Sequence, residues 1–313
     1  MTHIYDDTET QSTYAWTPKM EDENIVIRIS KSPLTNMKWC PQQLWLSKTL
    51  DVPQEKRNYL TIGDDVHNTV EEFYKRLSIE DVDLALACAS KGQDKVALRT
   101  LRKALPSRKD VIGLRREENR EDPFYDQDYE HNINWLMRYE LNRLRGIEKP
   151  EDFYPVGNET RLSINTEIEV DGVGMVPVVL VGIIDRIFLD EEGGLTLFEL
   201  KTGKWNDNKM SDMRMEMAYY KFLLENTPEE QLRELGLDKP VTHWGWRYSA
   251  ADRWHWEKAK GASEKAMKNW LGKLIKSYLN ESFETTKAEF KCTYCSYMEY
   301  CPRFGIYNME ALS

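Results

Sequence analysis

Residues Gly182–Lys204 read GIIDRIFLDEEGGLTLFELKTGK. Two apolar, β-branched runs flank the turn chemistry of Asp190-Glu191-Glu192-Gly193-Gly194, which predicts an antiparallel hairpin. Asp185 interrupts the first run, and Glu199-Leu200-Lys201 closes the second. Alternate residues of a strand share a face, so Glu199 and Lys201 project together while Leu200 points into the core. If the hairpin sets Asp185 beside them, two carboxylates and one ammonium converge. Carboxylates crowded at the edge of an apolar sheet repel each other, and a hard divalent cation such as Mg²⁺ or Mn²⁺ relieves that repulsion through oxygen ligands. Such an ion polarises a phosphodiester and acidifies a bound water, and the lysine positions that water or offsets developing charge. A structural Glu–Lys or Asp–Lys ion pair would use the same residues.

Outward from this hairpin, RLSINTEIEV and VPVVLVGIIDRIFLD read as neighbouring strands, and MEMAYYKFLLEN after the hairpin returns to helix. THWGWRYS and RWHWEKA alternate aromatics at period two and predict two further strands, followed by a helix over ASEKAMKNWLGKLIKSYLN. Upstream, IVIRIS is strand-like. Ser32-Pro33 signals a helix start, with serine as N-cap and proline at the first helical position. In GDDVHNTVEEFYKRL, Val66, Val70, Phe73 and Leu77 recur at helical spacing. Residues 78–150 are helical in character and rich in charge, an insertion into a core at about 151–227. The fold class is α/β, a central mixed sheet flanked by helices, in a single domain over 25–313 with a loose tail at 1–24.

The 313 residues are 41% hydrophobic and 11% aromatic, which suits a packed core rather than a disordered chain. No apolar run approaches the ~20 residues of a membrane span. The polar, acidic start MTHIYDDTETQSTYAW resembles no targeting segment, so a cytoplasmic location is expected. Clustered thiols in such a reducing compartment favour metal ligation over disulfides. The net charge of −10 argues against a general nucleic-acid coat and leaves room for a local basic groove.

The hairpin pattern resembles the PD-(D/E)XK nuclease superfamily, and within it the RecB-like exonucleases. There a GxxD strand precedes a strand ending in D/E-x-K-T-G, which ELKTG fits. The resemblance implies a restriction-endonuclease-like core. It also implies a histidine ligand on an upstream helix, here His67 of GDDVH, to join Asp185 and Glu199 on the ion, with the Leu200 carbonyl as a further ligand. A packed or exposed helix histidine is the plain alternative. Lys201 would assist the attacking water. The family's Q-x-x-x-Y motif falls on Glu216 and Tyr220, a departure, since ionised glutamate only accepts hydrogen bonds whereas glutamine also donates them. Glu216 would lie near the metal or the lysine, or face solvent. Tyr220 would support the lysine or contact DNA, or serve as a core tyrosine.

KCTYCSYMEYCP, Lys291–Pro302, places Cys292, Cys295 and Cys301 within ten residues. Tetrahedral zinc or an iron–sulfur cluster needs four ligands. Cys88 lies in the apolar helical run LALACASK, where a buried thiol is ordinary. Cys40, like Cys301, precedes proline, and we take it as the fourth ligand. The resemblance implies the same arrangement. AddB-type nucleases and the CRISPR-associated Cas-four exonucleases hold a 4Fe–4S cluster by one N-terminal and three C-terminal cysteines. Here that cluster would clasp Cys40 to residues 281–313. Spacing alone leaves zinc as the alternative.

Lys91–Arg116 carries nine basic residues against Asp94 and Asp110. Lys95, Arg99 and Arg102 form a basic helical face opposite Leu98, Leu101 and Leu105, either a phosphate-tracking surface or a solvated face. Lys204, just beyond the hairpin, would add to DNA binding, and the tryptophans either stack on unpaired bases or are half-buried strand residues. The expected function is a metal-dependent DNA exonuclease acting on single-stranded or frayed ends, in repair, recombination or CRISPR adaptation. The alternative is a non-catalytic end-binding subunit, or a component that hands processed ends to an integrase or recombination partner.

Overall fold

The computed structural model describes residues 19–21, 24–50, 58–107, 110–111 and 125–304. The expected tail at 1–24 lies almost wholly outside them. In chain order, β1 (Lys19–Glu21) and β2 (Asn24–Ile29) lead into α1 (Lys31–Trp39), α2 (Pro41–Thr49) and α3 (Asn58–Arg76). Next come α4 (Ile79–Ser90), α5 (Asp94–Leu101) and α6 (Tyr125–Leu144). Then follow β3 (Gly157–Val170), β4 (Gly174–Leu189), β5 (Leu195–Lys201), α7 (Met210–Glu225) and α8 (Glu229–Glu234). β6 (Val241–Tyr248), β7 (Arg253–Lys258), α9 (Gly261–Leu279) and α10 (Glu289–Cys292) complete the described chain. The start of α1 corrects the sequence reading: Ser30 is its N-cap and Lys31 its first residue, so Pro33 sits inside the first turn. There a missing N–H removes no bond, because the first donors of a helix have no partner within it.

The strands form one mixed sheet in the order β1-β2-β4-β5-β6-β7, with β3 on β4. β3 pairs antiparallel with β4 from Gly157↔Ile187 to Val170↔Gly174. With one edge of β4 taken over this length, its other edge is shared. β2 runs parallel to it at Val178–Leu180, and β5 antiparallel at Arg186–Leu189. The long strand is therefore a fork, with Asp185 one residue before the last β4–β5 pair, Arg186↔Phe198. β6 lies parallel to β5, and β7 closes the sheet antiparallel to β6.

Both faces of β5 are covered, which hides any polar alternation in its sequence. Leu195 and Leu197 belong to the larger buried cluster, with Met217, Tyr219 and Leu223 of α7 and Leu271 of α9. Leu200 belongs to a second cluster built by α3 to α6, including Val66, Val70, Phe73, Leu101 and Leu136. The expected helical stretch at 78–150 thus shares a second core with α3, seated on the sheet through Leu200. Among the described residues, no helix is long and apolar enough to cross a membrane.

Candidate active site

The alternation of β5 sends Phe198 and Leu200 toward α6 and α3, where Phe198 stacks on Tyr139. Glu199 and Lys201 take the opposite face, as the hairpin pattern predicts. Beyond the Arg186↔Phe198 pair, Asp185 Oδ2 accepts the Leu200 backbone N–H at 2.7 Å. That bond ties the two arms of the fork together and fixes the carboxylate at its mouth. α3 closes the mouth from the side. At Gly63 an added Cβ would come within 3.2 Å of Thr202 Oγ1, so the glycine lets the helix lie close to the end of β5. One turn on, on the same helix face, His67 places Nε2 3.1 Å from the Leu200 carbonyl oxygen. Its Nδ1 lies 3.6 Å from Asp185 and 3.7 Å from Glu159.

His67, Glu159 and Asp185 offer ligand atoms all within 4.8 Å of one another, the group among the described residues that could hold a metal ion. Glu159 was not anticipated. Its register on β3, between Asn158↔Arg186 and Thr160↔Ile184, places it across from Asp185. It is also a non-glycine residue in the left-handed region, at φ 48°. Such backbone strain persists only where surrounding structure enforces it, and it gathers at functional sites.

Glu199 stands apart from this triad. Its Oε1 accepts from Lys201 Nζ and from Lys31 Nζ, each at 2.6 Å. Its Oε2 is buried with no hydrogen-bond partner. A buried oxygen that nothing in the protein satisfies fits a carboxylate that waits for a cation. Lys31, the second residue missed in the sequence, comes from the β2–α1 junction. Glu216 contacts both ammonium groups, 3.0 Å from Lys31 and 3.1 Å from Lys201, so at the departed motif position it faces the lysines and not solvent. Tyr220 is buried, its ring centroid 4.9 Å beneath the Lys31 ammonium.

These charges divide the carboxylates. Burial, reinforced by the Glu199 charge, pushes Asp185 up to about 6. Burial also acts to raise Glu199, but Lys201 and Lys31 outweigh it and hold that carboxyl at about 2. For His67, burial disfavours the charged ring, yet Asp185 and Glu159 prevail and raise its pKa. Burial opposes the charge of Lys31 and Lys201 as well, and Glu199 and Glu216 override it, so both remain ammonium groups. Asp185 and Glu159 are left with a shortage of positive charge that a divalent ion supplies, and the donor set of one imidazole with carboxylate and carbonyl oxygens suits Mg²⁺ or Mn²⁺.

Residues 28–302, most of the chain, match the PD-(D/E)XK nuclease superfamily. The chain belongs to that superfamily. Among solved structures it is similar to that of SSO0001, at 14% identity and a TM-score of 0.34, over 88% of this chain and 96% of that one. No curated protein matches it. Asp185, Glu199 and Lys201, which lie around the fork of β4, fall within the matched residues.

The four proposed cysteine ligands line one pocket, beside Lys291, Arg303 and Phe304. All are free thiols. No three of their sulfurs lie within 4.8 Å of one another. The two chain ends meet here without them: Trp45 stacks on Phe283 at 4.9 Å, and Lys291 Nζ donates to the Trp39 carbonyl at 2.7 Å. Cys88 is buried in the second core.

On the expected DNA face, Lys95 and Arg99 are exposed on α5, which ends at Leu101. Arg102 follows in a 3₁₀ turn and donates to Asn134 of α6. Arg108, Lys109, Arg115 and Arg116 of the basic run lie outside the described residues. Lys204 is exposed just beyond β5. The tryptophans are not uniformly half-buried. β6, between two strands, turns Trp244 and Trp246 fully inward, whereas β7 at the sheet edge leaves Trp254 and Trp256 exposed.

Proposed function

We propose that this chain is a Mg²⁺- or Mn²⁺-dependent DNA exonuclease, acting on single-stranded or frayed ends and carrying a 4Fe–4S cluster. The observation that carries the reading is the convergence of His67, Glu159 and Asp185 beside a buried Glu199 held by Lys201. The ion would be held by His67, Asp185 and Glu159, with Glu199 Oε2 and the Leu200 carbonyl as further oxygens. When bound it supplies Lewis acidity toward the phosphodiester and lowers the pKa of a water. The protein's own groups do the rest. Lys201 stays charged and, held by Glu199 and Glu216, presents a fixed ammonium to the phosphate and the attacking water. Leu200 N–H fixes Asp185 Oδ2, the oxygen that faces His67 Nδ1 at 3.6 Å, and so holds the carboxylate in place. Tyr220, buried and with its pKa raised by burial and the neighbouring Glu199 charge, remains protonated and forms an apolar floor under the cations.

For the cluster, the support is the meeting of Cys40 with Cys292, Cys295 and Cys301 around one pocket. A closed tetrahedral zinc site sets its sulfurs about 3.8 Å apart, from the ~2.3 Å Zn–S bond. In 4Fe–4S sites the thiolates each bind a different iron of one cluster, so four cysteines around one pocket suit it. It would serve folding, as a clasp between chain ends, because a site absent from the unfolded chain stabilises the folded one.

The test is digestion of end-labelled single and double strands by anaerobically purified protein, with Mn²⁺, Mg²⁺ or EDTA. Brown protein, ion-dependent shortening from one end, and its loss in Asp185→Ala with the colour retained are expected. Undiminished cleavage by Asp185→Ala would refute the assigned site, and colourless protein with stoichiometric zinc would refute the cluster.

A further inference from the structure

Lys31 and Lys201 are 170 positions apart in sequence, yet both place Nζ 2.6 Å from the same atom, Glu199 Oε1. The two ammonium groups are therefore no further apart than twice 2.6 Å. Like charges this close repel, and one buried carboxylate does not offset both. Glu216 supplies the balance, with Oε1 3.0 Å from Lys31 and Oε2 3.1 Å from Lys201. Two anions and two cations make a neutral quartet.

The quartet is ordered in depth. The side chains of Glu199 and Glu216 are 3% and 12% exposed, while those of Lys31 and Lys201 keep 22% and 26%. The lysine side chains thus keep more solvent exposure than the carboxylates they pair with. One lysine suffices to pair Glu199. The second, imported with its own counter-ion, adds a positive group beside Lys201 without changing the net charge. A phosphodiester presents two non-bridging oxygens and gathers negative charge as it is attacked, so two adjacent, fixed ammonium groups match it better than one.

We infer that Lys31 is a second catalytic ammonium, which contacts the substrate phosphate next to Lys201, and that Glu216 is the counter-ion holding the pair in place. This rests on the nuclease reading above. It accounts for glutamate at 216, since a neutral side chain there leaves two ammonium groups to one carboxylate.

The test uses the full chain and single-turnover hydrolysis of an end-labelled single strand with Mn²⁺. Wild type is compared with Lys31→Met, Lys31→Arg, Glu216→Gln and the double variant Lys31→Met/Glu216→Gln. Loss of one transition-state contact is expected to slow Lys31→Met by about 10²-fold. Lys31→Arg, which keeps the charge and guards against a folding defect, recovers part of the rate. The double variant remains as slow as Lys31→Met. A second readout is equilibrium binding of the same strand with Ca²⁺ replacing Mn²⁺. There Lys31→Met is expected to reduce the salt slope by about 0.7, one phosphate contact on a single strand. A double variant that regains the wild-type rate and slope would overturn the inference, because Lys31 would then only neutralise Glu216. Wild-type hydrolysis alongside an equally fast Lys31→Met defeats this inference alone, whereas wild-type protein inactive with either ion defeats the nuclease reading and this one together.

Discussion

Replacing Asp185 by asparagine is expected to abolish hydrolysis and yet stabilise the metal-free protein. Burial, with the Glu199 charge added, raises the Asp185 carboxyl to about 6. Against the ordinary aspartate value of about 3.9, that rise is worth on the order of 3 kcal/mol. The sign follows from proton binding. The folded state holds the Asp185 proton more tightly than the unfolded chain, so the penalty is absent below the unfolded pKa. It grows as pH rises between the two values and is complete above the folded one. Integrated over the titration, roughly half of the ~3 kcal/mol is present at pH 5 and all of it at pH 8. Asparagine is isosteric, and its carbonyl can accept the Leu200 N–H that Asp185 Oδ2 accepts at 2.7 Å. The attraction of His67 and Lys31 is already contained in the raised pKa, so a gain on the order of 3 kcal/mol is expected at pH 8. Urea denaturation in EDTA at pH 5 and pH 8, wild type against Asp185→Asn, measures this directly. Mn²⁺ should cancel most of the difference, since an ion at 100 times its Kd adds about 2.7 kcal/mol to wild type and little to the variant. A variant less stable than wild type at pH 8 in EDTA, or a difference indifferent to pH, would refute the electrostatic reasoning.

Glu159→Gln is expected to weaken Mn²⁺ binding by about tenfold in calorimetry, as for supporting groups of other metal sites. Proton competition at Asp185 and at His67, whose pKa is raised by its carboxylate neighbours against burial, makes Mn²⁺ affinity fall as pH drops through about 6. Proton release measured in two buffers of different ionisation heat checks this. Cys40→Ser should lose the visible absorbance of the proposed cluster while the C-terminal thiols remain, and iron analysis reports it. Tyr219→Phe should cost about 1–2 kcal/mol in denaturation without altering Mn²⁺ affinity. The reason is that its hydroxyl lies 2.9 Å from both the Ile29 and Val181 carbonyls, at the junction of β2 and β4.

The hairpin, the GDDVH helix and the cysteine tail were legible because each is a local pattern. Turn chemistry between two β-branched runs names the hairpin. The four-residue step from Gly63 to His67 sets close approach and ligand candidate on one helix face, and short spacing sets three thiols near one another in sequence. Glu159 and Lys31 left no such trace. Glu159 is one polar residue in GNETRL, and only its register against Asp185 makes it a ligand candidate. Lys31 is one cation in ISKSPL, and it matters because β2 joins the same edge of β4 as β5 does. The start of α1 was misread because the Ser32-Pro33 signal was taken for the cap, whereas Ser30 takes the extended N-cap backbone and Pro33 falls inside the first turn.

The amino-acid sequence by itself determined which chemistry the chain carries, because carboxylate, lysine and thiol spacing within a strand or turn follows from the period of the backbone. Only the tertiary structure decided which charges share a site. The fork of β4 brings Lys31 and Glu216 onto Glu199, and Glu159 and His67 onto Asp185. Coulomb energy depends on distance through space and on burial, and neither is written in the order of the residues.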